Sequence, residues 1–124
     1  MIDANLNHKM AEIMGWEIRI RDYPRPGHNW LYDAEGNEVM ALYEWHPSTY
    51  IAQAMMVVDR LIDRYEMYVT LVSHWEGCRW TCFIFPDPYS EEGKVKGKNK
   101  TLERAICLAA AEVWEKMKGG VPSE

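Results

Sequence analysis

Apolar residues recur at helical spacing in three stretches of the chain and cluster in short alternating runs between them. Leu6, Met10, Ile13 and Met14, separated by four, three and one, make one apolar helix face over residues 3–14. Asp3 suits the N-cap and Gly15 the stop, with Trp16 placed to fold back on the helix. Glu17-Ile18-Arg19-Ile20-Arg21 alternates charge with isoleucine and predicts a short strand near Ile18, broken by Tyr23-Pro24-Arg25-Pro26-Gly27.

Trp30 to Asp33 and Val39 to Trp45 flank the turn-rich Ala34-Glu35-Gly36-Asn37, which predicts a hairpin. After His46-Pro47, Ser48 or Thr49 is placed to cap a helix in which Ile51, Met55, Val58, Leu61 and Ile62 repeat at helical spacing up to Tyr65. Met67 to Trp75 and Arg79 to Phe85, rich in aromatic and β-branched residues and separated by Glu76-Gly77-Cys78, predict a second hairpin, which Pro86 and Pro88 end. Residues 87–100 hold no helical period and carry Gly93, Gly97 and four lysines, and are expected to form a mobile loop. Thr101 then caps a last helix whose Leu102, Ala105, Ile106, Ala109, Ala110, Val113 and Met117 share a face, with Gly119 as its stop. The sum is an α+β fold in the order helix, two strands, helix, two strands, helix. An antiparallel sheet of about four to five strands, sandwiched between helices, would form a single domain over 1–124.

Composition narrows the function classes. The chain has 124 residues, 48% of them hydrophobic, with six Trp and seven Tyr. That is more ring surface than one core of this size needs, and the surplus suits contact surfaces. A net charge of −5 argues against general binding of duplex nucleic acid. No apolar run reaches the roughly 20 residues of a membrane helix, and the N-terminus lacks a signal-peptide pattern, so a cytoplasmic location is expected. Three cysteines fit reduced thiols better than a disulfide framework.

No catalytic constellation can be assembled. His74, Cys78 and Cys82 are spaced by four, which is not the spacing of a zinc knuckle; strands would carry the outer two apart, and no fourth ligand is close. No nucleophile motif surrounds any cysteine to pair it with His28, His46 or His74. Nucleophile elbow, phosphate loop and dinucleotide fingerprint are all missing. Asp59 with Asp63 and Glu112 with Glu115 sit at helical spacing on polar faces. The expectation is therefore a binding protein rather than an enzyme, with no catalytic residues, metal or cofactor. Lys94 to Lys100 is the one dense run of positive charge, just before a helix N-terminus, and Arg104 in that helix's first turn opposes the dipole, as a residue kept for an anionic partner would. Among the hairpin aromatics, Trp30, Trp45, Trp75, Trp80 and Phe85 are candidates for a surface on which a base stacks.

At Met14-Gly15-Trp16, Trp45-His46-Pro47-Ser48-Thr49 followed by Ile51-Ala52, Ser73-His74-Trp75 with Trp80, and Ala105-Ile106-Cys107-Leu108-Ala109-Ala110, the chain resembles the phage α-β-α (ABA) sandwich domain family. The resemblance covers nearly the whole length. Tyr50, where an acidic residue would complete a capping arrangement with Ser48, and the long lysine segment depart from it. The plan is also similar to that of phage anti-defence sponges, which hold cyclic nucleotide immune signals, as in Thoeris defence, without degrading them. That likeness implies a non-enzymatic homo-oligomer, a dimer or larger, in the cytoplasm of a bacterial host, with ligand sites at subunit boundaries. The ligand would be a small cyclic nucleotide of the cyclic ADP-ribose type, and Trp45, Ser48, Thr49, Trp75, Trp80, Phe85, Lys100 and Arg104 supply the aromatic, hydroxyl and cationic groups it needs. The competing expectations are a protein–protein inhibitor of a host enzyme and a virion or morphogenesis protein.

Overall fold

A computed structural model of the chain describes residues 4–21, 28–74, 77, 79–87 and 89–119. Helix α1 spans Ala4–Ile13. Gly15 closes it at φ +80°: the Gly15 N–H donates to Glu12 O at 2.9 Å and the Trp16 N–H returns to Ala11 O at 3.0 Å, the bond pair of a Schellman turn. Strands β1 (Glu17–Arg21), β2 (His28–Tyr32) and β3 (Glu38–Ala41) follow as an antiparallel sheet in that order. Asp33 Oδ1 holds the β2–β3 turn by accepting the N–H groups of Glu35 at 3.0 Å and Asn37 at 2.8 Å, as aspartate does in tight turns. A short 3-10 turn at Leu42–Glu44 leads to α2 (Ile51–Tyr65). Strands β4 (Tyr68–His74), β5 (Arg79–Phe85) and β6 (Val95–Asn99) form a second antiparallel sheet, and α3 (Leu102–Gly119) ends the described chain. The expected cap Asp3, the proline-rich breaker, Trp75 and Cys78 lie outside the described residues.

Four expectations change. In place of one sheet of about four to five strands, the described residues form six strands in two three-stranded sheets. The extra strand comes from the expected mobile loop: residues 95–99 pair along β5 from Ile84↔Val95 to Trp80↔Asn99. Lysine and glycine are poor strand formers, yet Val95 and Gly97 are buried while Lys96 and Lys98 are exposed, the two-residue alternation of a half-buried strand. Neither Ser48 nor Thr49 caps α2. Its N-cap is Tyr50, with no side-chain cap; the Thr49 hydroxyl donates instead to His46 O at 3.3 Å, and the Ser48 N–H is drawn inward to Asn7 Oδ1 at 3.1 Å. The expected face of α2 holds in part: Val58 and Leu61 are buried, with Met55 partly buried against the core, and Ala54 and Val57 join them, but Ile51 and Ile62 are exposed. The expected face of α3 is the observed one, with Ala105, Ile106, Ala109, Ala110 and Val113 all buried and Thr101 Oγ1 accepting the Arg104 N–H at 3.4 Å.

Helix α3 is the hub. It lies along β5 and β6, and α1 and α2 pack against it. Trp114 Nε1 donates to Glu12 Oε1 at 2.9 Å and Lys9 pairs with Glu115 at 3.0 Å, so two polar contacts tie α1 to the far end of α3. Trp45 fills the interior beside them. Its Nε1 donates to Asn7 O at 2.9 Å, and its ring meets Trp16 edge to face at a centroid distance of 4.7 Å. The first sheet joins the same core through Leu31. The second sheet packs on the core through Val69, Leu71, Cys82, Ile84 and Val95; in the alternate phase Thr70, Lys96 and Lys98 are exposed, Phe83 and Phe85 are half-buried, and Thr81 is buried.

The tightest approach is at Gly97. A Cβ built there would lie 2.3 Å from Ala105 O and 2.5 Å from Ala109 N, so only glycine lets α3 sit directly on β6. Gly36 has nothing within 4 Å of such a Cβ, though its φ is +85°. Gly97→Ala is accordingly expected to cost about 3 kcal/mol or more through overpacking against backbone, and Gly36→Ala about 1 kcal/mol through its left-handed conformation alone. Urea unfolding of the two variants tests the ranking; equal midpoints would refute it.

Candidate functional site

The β5–β6 register builds one compact cationic corner. Thr81 lies opposite Lys98 and Trp80 opposite Asn99, so Arg79, the first residue of β5, meets the end of β6. Arg79, Lys98, Asn99 and Lys100 line a depression of 200 Å³. The turn that leaves it is ordered: Asn99 Oδ1 accepts the Thr101 N–H at 3.3 Å, and α3 begins one residue later. The positive end of the α3 dipole thus stands beside Lys100 and adds to the field of the three cations. Across the sheet, His74 faces Arg79, and its Nε2 lies 2.7 Å from the Oγ1 of Thr81, which is 1% exposed. Guanidinium, ammonium and amide donors converging on one small space recognise an anion with several oxygens.

The residues expected to hold a ligand do not gather in one place. Lys100 lines the corner, but Arg104 is not among its described lining residues; it is half-buried one turn into α3. Trp45 and Ser48 are buried with Asn7, so Trp45, 1% exposed, has no face to offer a base. Thr49 is exposed beside His46. Trp80 is half-buried and packs on the core. Phe85 lies on the outer phase of β5, half-buried, with Lys94 Nζ 5.7 Å from its ring centroid. Trp75 lies outside the described residues. Sequence reasoning placed Lys98 within the cationic run from Lys94 to Lys100 but missed Arg79 and Asn99. The signal was present in Lys94-Val95-Lys96-Gly97-Lys98-Asn99-Lys100, where lysine at every second residue is the pattern of one strand face.

The other candidate groups fall apart on geometry. Cys82 points to the core, on the opposite phase of the sheet from His74. Asp59 and Asp63 are exposed and line a depression of 430 Å³ with Met14, Met56, Arg60 and Arg64. Glu112 pairs with Lys116 at 3.9 Å and Glu115 with Lys9, as a solvated helix face does. No group of three or more His, Cys, Asp or Glu suited to a metal ion occurs among the described residues. No described helix is long and apolar enough to cross a membrane.

The three helices and two antiparallel three-stranded sheets of the described residues make a fold of the α+β class, consistent with an α-β-α sandwich. The chain belongs to the phage ABA sandwich domain family, whose model matches residues 9–111. Its fold is similar to that of a phage protein from Bacillus cereus ATCC 14579 solved by crystallography, with a TM-score of 0.59 and 23% identity over 91% of this chain and 92% of that one. No curated protein matches the chain significantly.

Burial pushes the Cys82 thiol up from 9.0 to about 12, so it keeps its proton where an exposed thiol ionises. In the unfolded chain the same thiol titrates near 9.0, and the folded state therefore binds more protons between those values. The contribution of Cys82 to stability is complete below pH 9 and is lost as the pH rises from 9 towards 12. Urea midpoints between pH 8 and pH 10.5 are expected to fall more steeply in the wild type than in Cys82→Ala; parallel curves would show that the thiol is not protected.

Proposed function

We propose that this protein binds and sequesters a phosphate-bearing cyclic nucleotide signal, of the cyclic ADP-ribose type, without degrading it, as an anti-defence protein in the cytoplasm of a phage's bacterial host. The observation that carries this reading is the corner formed by Arg79, Lys98, Asn99 and Lys100. Its donors bind and orient a pyrophosphate; breaking one requires a base or nucleophile, and those four side chains supply neither at neutral pH. A volume of 200 Å³ falls short of the roughly 300 Å³ or more that encloses an entire small-molecule ligand. The remainder of the nucleotide must then lie against another surface, and a second copy of the chain supplies one. This is the reason to propose a homo-oligomer with sites completed across subunits.

A second reading rests on a different feature. Ile62, Glu66, Met67, Tyr68 and Val69 line an apolar depression of 390 Å³, and Tyr68 is 61% exposed. Such a surface suits a protein–protein inhibitor, which would bind a macromolecule and ignore nucleotides.

Incubation of the purified protein with cyclic ADP-ribose isomers and cyclic oligonucleotides, followed by heating, separates these readings. Intact ligand released by heat is the expected result, together with a raised melting temperature before release. Chemically altered ligand would reveal an enzyme, and the absence of any thermal shift would remove the nucleotide reading. Arg79→Ala is expected to weaken binding by about 1.5–3 kcal/mol, the cost of a lost charge-assisted contact, without lowering the melting temperature of the unliganded protein.

A further inference from the structure

The corner is one end of a longer feature. On the outer face of the second sheet, β6 presents Lys96 opposite Phe83 and Lys98 opposite Thr81, and Lys94 and Lys100 continue the row at either end. The lysines recur at every second residue, about 6.6 Å apart along the strand. Next to that row, β5 presents Phe85, Phe83 and Arg79 on the same face, and Tyr68 of β4 stands opposite Phe85. Lys94 Nζ lies 5.5 Å from the Phe83 ring centroid and 5.7 Å from that of Phe85. Five of the fourteen Lys and Arg residues therefore fall on one sheet face of a chain whose net charge is −5. Lys96, Lys98 and Lys100 form no ion pair among the described residues.

Lysines on an edge strand also discourage sheet-to-sheet aggregation. That role explains β6, but not the cation Arg79 on the central strand, nor two half-buried phenylalanines left on the same outer face. A row of cations beside a row of rings is the combination that holds single-stranded nucleic acid: backbone phosphates follow the charge and bases stack on the aromatics, with little regard to sequence. The two rows are a strand spacing apart, about 4.8 Å, so a backbone that tracks β6 lays its bases over β5. Lys94 covers the rings in the free protein, where its ammonium also donates to Glu91 Oε1 at 3.3 Å, an exposed pair that a phosphate can displace. Its flexible stem lets the ammonium turn to a phosphate as a base takes its place.

We propose that the outer face of β4–β6 binds a single-stranded oligonucleotide, with phosphates along Lys94 to Lys100 and bases over Phe83 and Phe85. The proposal rests on the reading of the Arg79 corner as a phosphate seat and extends that seat into a track. Single-stranded RNA and DNA share this chemistry; duplex DNA does not, since its bases are stacked inside.

The test is fluorescence anisotropy with labelled 12-mers of oligouridine and oligothymidine, with duplex DNA, heparin, cyclic ADP-ribose and a cyclic dinucleotide as competitors. Binding of at least one 12-mer is expected, with a log–log salt slope of about −2 to −3 for three to four phosphate contacts. Phe83→Leu, which keeps an apolar side chain and removes the ring, should weaken binding about tenfold, as loss of one stacking surface does. The double variant Lys96→Gln, Lys98→Gln alters only exposed side chains, so folding is not at risk, and should make the slope shallower by about 1.4. No binding of either 12-mer at low salt overturns the proposal. So does binding that heparin matches and that neither variant changes, because that is adsorption of any polyanion. If the cyclic nucleotides bind and the 12-mers do not, the phosphate seat stands and the track falls. If the 12-mers bind with ring dependence and no cyclic nucleotide does, the track stands and sequestration of a signal falls.

Discussion

The contact between α3 and β6 at Gly97 is the constraint on which the rest of the structure depends. Ala105 and Ala109 meet the strand where any side chain at residue 97 would collide with helix backbone. Small residues on both partners set the distance between helix and sheet, and α1 and α2 in turn pack against the helix so placed. The same contact fixes the direction of the lysines. With Val95 and Gly97 directed inward, the two-residue period sends Lys96 and Lys98 outward. One packing decision thereby sets both the interior and the charge of the opposite surface.

How much of this was legible in the sequence depended on whether a segment's local preference agreed with its role. Helix α3 was readable to within a residue, because its apolar period, its threonine cap and its terminal glycine all point the same way. Helix α1 was readable through Gly15 for the same reason. Strand β6 was hidden because valine is its only strong strand former, and its glycine is explained by a helix that meets it only in the folded protein. The face of α2 was legible only in its middle: Val58 and Leu61 are buried as expected, but Ile51 and Ile62 repeat at helical spacing yet remain exposed, and periodicity alone does not say where a covered apolar stripe ends. For the site, charge type was legible and position was not. Lys100 was identified, but Arg79 lies 21 residues away along the chain and joins it only through strand pairing. Trp45 illustrates the opposite error: an indole beside a helix start resembles a ligand surface until Asn7 is seen to accept its N–H inside the core.

Charge is distributed so that one face works against the chain's overall sign. Acidic residues are spread over the helices and turns, while the lysine row and Arg79 concentrate on the outer face of one sheet. A protein of this kind repels polyanions at long range and admits one only where the local field dominates, which within about 10 Å at ordinary salt it does. Such an arrangement favours a short anionic ligand that fits within the patch over a long duplex that would also run past the acidic surface.

The pairing of Trp114 with Glu12 and of Lys9 with Glu115 joins the first described helix to the last. Closing a loop of about 100 residues costs roughly 4 kcal/mol in chain entropy, and that cost is offset only after both helices exist. On a ribosome, therefore, α1 leaves the exit tunnel long before its docking surface has been made, and it waits as an unsatisfied amphipathic segment while two sheets form downstream of it. The speed at which this protein reaches its native state is set less by any single element than by the time needed for its two distant helices to meet.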